Sequence, residues 1–270
     1  MKQITLACLL LFLASVALSE ANAQSLKPVF GKTNGAFVLY DLKNKRYIRH
    51  NESRCRRRFT PASTFKIPNS LIGLETGVVR DADFVIRWDR QRYPGEGRPA
   101  TAPYIHWWQD HTLRSAMKYS ALWYYIEIAK QVGAQRMEKY VTQFQYGNED
   151  TSGGIDQFWR NSSLQISADE QVDFLRRFYT GQLSVSSRST AFVKDILLLE
   201  ETPTYKFSGK TGAAPLAGGV TLAWFVGYLE RDGNVYFFAL NMDGANHLAI
   251  REERIDLTKR ILAELGYLPK

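Results

Sequence analysis

Cysteine is scarce in this chain: Cys8 and Cys55 are the only two in 270 residues. Cys8 sits in an apolar run near the start, so loss of that run leaves Cys55 alone and excludes an intrachain disulfide. Histidine is equally sparse. His50, His106, His111 and His247 form no H-E-x-x-H pattern, and with one remaining cysteine they argue against a zinc site. G-x-S-x-G is missing, which excludes the usual nucleophile elbow of α/β-hydrolases. "SGKTG" at 208–212 is no Walker A loop, because that motif needs a glycine where Thr204 stands. Internal repeats and low-complexity linkers are absent, and no apolar run reaches the ~18 residues of a membrane helix.

The amino terminus has a different character. Lys2 precedes the 13-residue apolar run Leu6–Leu18, and "SEANAQ" follows with small residues Ala21 and Ala23. These are the three parts of a secretory signal peptide spanning 1–23, cut after Ala23. The expectation is an exported protein, periplasmic or secreted, without stable membrane insertion, consisting of one domain over 24–270. The net charge of +8 is unchanged by the cleavage, since Lys2 and Glu20 cancel. Apart from "RCRRR" at 54–58 the basic residues are dispersed. Dispersal and export both speak against a nucleic-acid partner and for a generally basic surface that attracts small anions. Cys55, crowded by arginines in a loop-like stretch, reads as incidental.

Hydrophobic patterning divides the chain into strands, helices, strands and a helix. Residues 35–51 predict two strands around a turn at Lys43-Asn44-Lys45. Three more strands are expected at 204–212, 221–230 and 235–243, the last two joined by a hairpin at Asp232-Gly233. A final helix over 252–265 places Leu257, Ile261 and Leu265 on one face, with Gly266 as its stop. Between the strand groups lie helices from Ser63 to Gly77 and over 112–118, 121–132, 134–144, 168–180 and 188–200. Ser167 and Glu170 form a capping box for one of them. The segment 91–103 is the most loop-like. Short turns between neighbouring strands imply an antiparallel sheet. The fold class is therefore α/β of the α+β type: five to seven strands drawn from both chain ends, with a helical region over about 61–200 inserted between them.

Within "TPASTFKIPN", 60–69, Ser63 and Lys66 stand three residues apart and share a helix face. A serine is a poor nucleophile until something takes its proton. Lysine can take it only when neutral, and an ordinary lysine is neutral at pH 7 in about one molecule in a few thousand. Burial raises that fraction, and Phe65, Ile67 and Leu71 make the surroundings apolar. Pro68 would cost one backbone bond if the α-helix already ran through Thr64. The motif alone is weak, since S-x-x-K occurs about once by chance in such a chain, and Ser115 with Lys118 is a second copy.

The company of Ser63 and Lys66 is more specific. "KYSAL" contains Ser120, "YGN" follows at 146–148, "FW" at 158–159, "KTG" at 210–212, and "LAIRE" brings Arg251. In order and spacing this set resembles the class D, oxacillinase-type β-lactamases over nearly the whole mature chain. The resemblance implies the fold of penicillin-recognising serine enzymes and a small β-lactam substrate, hydrolysed through an acyl-serine intermediate. It implies Ser63 as nucleophile and Lys66 as a lysine N-carboxylated by CO2 or bicarbonate to become the general base, with no bound prosthetic group or metal. Ser120 then relays a proton to the leaving nitrogen. Lys210 supplies positive potential, Thr211 and Arg251 hold the substrate carboxylate, and the backbone N–H groups of Ser63 and Ala213 form the oxyanion hole. Phe65, Leu122, Trp159 and Leu164 surround the carbamate. "YGN" reads equally as a turn.

Two positions depart from the family pattern. Leu122 stands two residues after Ser120, where a valine or isoleucine is usual. Arg160 follows Trp159, where many members carry leucine. "SALWYY" and "SSL" are also similar to the penicillin-sensing domains of membrane receptors, so the alternative is a soluble β-lactam-binding module acylated at Ser63 that deacylates poorly.

Overall fold

The computed structural model describes residues 26–95, 101 and 103–269. The expected signal peptide and part of the 91–103 loop lie outside the described residues. After a one-turn helix α1 (Lys27–Phe30) come strands β1 (Gly35–Asp41) and β2 (Arg46–His50), then a short helix α2 (Glu52–Arg56). A 3-10 turn (Ala62–Phe65) leads into α3 (Lys66–Glu75). The small strands β3 (Val85–Ile86) and β4 (His111–Thr112) pair with each other, and a 3-10 turn (Tyr104–His106) lies between them. Helices α4 (Leu113–Tyr119), α5 (Leu122–Val132), α6 (Ala134–Gln143), α7 (Ala168–Tyr179) and α8 (Ser187–Leu197) follow. The chain closes with β5 (Leu198–Glu201), β6 (Tyr205–Pro215), β7 (Thr221–Arg231), β8 (Asn234–Gly244) and α9 (Ile250–Glu264).

Six strands form one antiparallel sheet in the order β2-β1-β8-β7-β6-β5, as the strand groups at both chain ends required. The two-residue period divides its side chains between two cores. Phe225 and Leu229 of β7 and Phe238 and Leu240 of β8 meet Leu257 and Ile261 of α9. Trp224, Val226, Phe237 and Ala239 face the helical region instead. Both faces are covered, so β7 and β8 are nearly continuous apolar runs. Asp232 and Gly233 join them with positive φ of 52° and 68°, the conformation of a two-residue hairpin turn.

Three expectations change. The helix expected over 188–200 ends at Leu197, and Leu198–Glu201 becomes an edge strand on β6, which only long-range pairing decides. In α9 the buried stripe is completed by Leu262, while Leu265 caps the helix and is partly exposed. The stretch around Cys55 is the helix α2, not a loop. Its arginines serve the fold: Arg54 is buried, donating to Asn241 Oδ1 at 2.6 Å and pairing with Asp243. Cys55 is fully buried, and burial pushes its thiol up to about 12, so it is inert as a nucleophile.

Candidate active site

The cleft lies where the first turn of α3 meets the open edge of β6. Strand β5 pairs only with the first half of β6, so Gly209–Pro215 has no strand on its outer side. The turn Ala62–Phe65 fills that place. A Cβ on Gly212 would approach Pro61 O at 3.0 Å and the Thr64 methyl at 3.1 Å, so the glycine of "KTG" permits this close packing. The turn is anchored on three other sides. Trp224 Nε1 donates to Thr60 O, Ala62 N–H to Trp159 O, and Gln171 Nε2 to Thr64 Oγ1. Because residues 62–65 are 3-10, Pro68 is only the third residue of α3, where a missing N–H costs little.

Ser63 and Lys66 are in contact: Nζ donates to Oγ at 2.8 Å. Lys66 is 1% exposed. Its amine lies 5.3 Å from the centre of the Tyr125 ring, and Phe65, beside it, stacks on Trp159 at 5.5 Å. Burial is the main cause that lowers the Lys66 pKa, to about 7, and the nearby Arg160 cation adds to it. Roughly half of the amines are then neutral at pH 7, against about one in a few thousand for an exposed lysine.

The second serine arrives from another element. Ser120 ends α4 and lines the cleft with a left-handed φ of 55°. Ala62, immediately before Ser63, has φ 49°. Two of the nine non-glycine residues with positive φ among the described residues thus border the cleft, each at a cost of about 1 kcal/mol or more. Trp107 Nε1 donates to the carbonyl of Tyr119 at 2.8 Å, which ties the cleft wall to the turn bearing Ser120. The other S-x-x-K pair is spent on structure: Ser115 completes a capping box with Thr112, and Lys118 is exposed.

Lys210 points to the same side of the sheet as Val226, toward Lys66, and is buried with Nζ donating to Thr211 O at 3.0 Å. Its pKa is held well below the ordinary lysine range by burial, then by Lys66 and Arg254. Thr211 and Ala213 line the cleft on the α9 side. Leu122 opens α5 and lines the cleft, as do Trp159 and Arg160, while Leu164 is fully buried. "YGN" is a structural turn. Asn148 is bonded to Ser163 and Gln165, and a Cβ on Gly147 would lie 2.0 Å from Gln165 O.

Arg251 requires correction. It sits in the first turn of α9, pairs with Glu252 at 3.2 Å and does not line the cleft. Arg254, one turn later, does. It is 6% exposed, its Nη1 donates to Gly212 O at 2.7 Å, and its buried Nε has no partner. Burial pulls its pKa down to about 10. A pattern that marks it was present in the sequence: Arg254 is the charged member of the stripe Ile250, Leu257, Thr258, Ile261. The described residues contain no cluster of three or more His, Cys, Asp or Glu suited to a metal ion.

A cleft of about 510 Å³ with a serine bonded to a buried lysine, a second serine at a helix end and a K-T-G strand defines a serine acyl-transfer enzyme of the penicillin-recognising kind. The family model of the penicillin binding protein transpeptidase domain matches residues 35–265. Beta-lactamase OXA-48 of Klebsiella pneumoniae is 41% identical over 240 residues, which cover 88% of this chain and 86% of that one. Beta-lactamase OXA-10 of Pseudomonas aeruginosa is 41% identical over 84% of this chain and 81% of its own. Among solved structures, the class D β-lactamase YbXI from Nostoc superposes with a TM-score of 0.82 at 39% identity, covering 90% of this chain and 99% of that one. The chain belongs to the class D β-lactamases.

Proposed function

We propose that this class D β-lactamase opens the β-lactam ring through an acyl-Ser63 intermediate, with N-carboxylated Lys66 as general base. The single observation that carries the reading is the 2.8 Å contact of Ser63 Oγ with a fully buried amine whose pKa is lowered to about 7. A neutral amine in an aromatic, water-poor setting is the species that combines with CO2, and Phe65, Leu122, Trp159 and Leu164 would surround the product. When formed, the carbamate supplies a base stronger than water beside Oγ.

Ser63 Oγ, relieved of its proton, attacks the lactam carbonyl, and the N–H groups of Ser63 and Ala213 receive the developing oxyanion. The C–N bond breaks as the proton taken from Ser63 Oγ is relayed through Ser120 Oγ to the ring nitrogen, with the Lys210 amine alongside, which leaves the base free again. Water gives one proton to that base as it adds to the ester carbonyl, and Ser63 Oγ leaves with that same proton. Arg254, with Thr211, is assigned the substrate carboxylate, since both line the cleft and a planar guanidinium suits that anion. An exported location, periplasmic or secreted, after loss of residues 1–23, belongs to the same reading.

Incubation of purified protein with a penicillin and a chromogenic cephalosporin, with and without bicarbonate, tests the proposal. Many turnovers per molecule, increased by bicarbonate, are expected. A single stoichiometric burst that leaves a persistent adduct on Ser63 points to the second reading, a sensor-like module. Leu122 in the cleft favours that alternative, because its longer side chain can crowd the deacylating water.

Arg160 gives a separate test. Its cation lowers the Lys66 pKa, so Arg160→Leu lets that pKa rise toward the ordinary lysine value. The acidic limb of kcat/KM is expected to move to higher pH, as a pH–rate profile will record. A limb that stays in place or moves to lower pH counts against the coupling.

A further inference from the structure

The end of the cleft nearest Arg254 is crossed by two aromatic rings that come from opposite walls. Tyr104 belongs to the 3-10 turn between β3 and β4, on the helical side. His247 belongs to the connection between β8 and α9, on the sheet side. Both line the cleft together with Arg254, and their ring centroids are 5.6 Å apart. Trp107 packs edge-on against Tyr104 at 5.0 Å and is itself held by Tyr119 O, so one end of this strap is anchored to the turn of Ser120. Rings in contact leave no room for a substituent between them.

We propose that the Tyr104–His247 strap is the subsite for the substituent adjacent to the substrate carboxylate and limits the bulk accepted there. The proposal rests on the reading that Arg254 holds that carboxylate. In a cephalosporin the adjacent substituent is the group at C3, and a carboxylate held by Arg254 directs it toward this end of the cleft. Burial and the neighbouring Arg254 and Arg251 cations lower the His247 pKa, so the strap is uncharged at neutral pH. It therefore discriminates by size through apolar contact, an effect worth about tenfold.

The test uses two cephalosporins with the same C7 side chain, one with methyl and one with a bulky uncharged ring at C3. The second-order rate constant for acylation of Ser63, followed by mass spectrometry, is compared between wild type and variants. In Tyr104→Ala and His247→Ala the bulky-to-methyl ratio is expected to rise about tenfold. Tyr104→Phe and His247→Phe, which keep a ring, are expected to restore the wild-type ratio. A ratio unchanged in the alanine variants, even with both constants reduced, overturns the subsite, because a merely structural role lowers both together. Failure of both compounds to acylate Ser63 in the wild type overturns the acyl-enzyme reading and the subsite with it.

Discussion

Lys66→Ala is expected to lower β-lactam turnover by about 10³-fold or more, with no recovery on addition of bicarbonate. Removal of the amine takes away the hydrogen-bond partner of Ser63 Oγ and the only group placed to receive its proton at 2.8 Å among the described contacts. Steady-state kinetics on a penicillin provide the measurement, and turnover within tenfold of wild type would refute the role. The same buried amine makes a thermodynamic prediction. Its pKa is about 7 in the folded chain against an ordinary 10.5, a difference equivalent to about 5 kcal/mol. Because the folded value is the lower one, this cost is fully present below pH 7 and disappears as pH rises through 10.5. Lys66→Met keeps the aliphatic stem without the amine. In CO2-free buffer at pH 7 it is therefore expected to melt several degrees above wild type, with the gain shrinking toward pH 10.5. Activity and stability thus pull in opposite directions at this residue.

Arg254→Ala is expected to raise KM for penicillins by about 10- to 100-fold, the loss of a charge-assisted hydrogen bond to the substrate carboxylate. Arg251→Ala is expected to change KM less than about threefold, because Arg251 stands outside the cleft and pairs with Glu252. Arg254→Lys tests whether the planar fork matters: a point charge alone is expected to recover only part of the affinity. Equal effects of Arg251→Ala and Arg254→Ala would remove the distinction. Part of any loss at Arg254 is read separately through thermal stability, since its bond to Gly212 O also holds α9 against β6.

The Arg251 assignment shows where reading the chain fell short. "LAIRE" offered an arginine at the expected distance from "KTG", and one turn of helix separates it from Arg254. A helix turns 100° per residue, so the choice between positions 251 and 254 depends on which face of α9 meets β6, a matter of packing. The stripe Ile250, Leu257, Ile261 was legible and would have selected Arg254 had the helix been phased by burial rather than by motif. Likewise β5 has the composition of a helix end and becomes a strand only because β6 offers it a partner.

Local chemistry determined much by itself. Ser63 and Lys66 share a face because three residues along a tight helical turn bring side chains together. The hairpin at Asp232-Gly233 follows from the positive φ that such turns need, and the antiparallel sheet follows from short connections between alternating strands. The ordered set of Ser63, Ser120 and Lys210-Thr211-Gly212 identified the family. Only the tertiary structure decided what depends on desolvation and on approach between distant segments. It buried the Lys66 amine against Tyr125 so that its proton is weakly held, and it turned Arg254 toward Gly212. It also brought Tyr104 and His247, 143 positions apart, into contact across the cleft. The local chain supplies side chains and their periodicity, whereas proton affinity and cleft width arise from the neighbours that folding assembles around them.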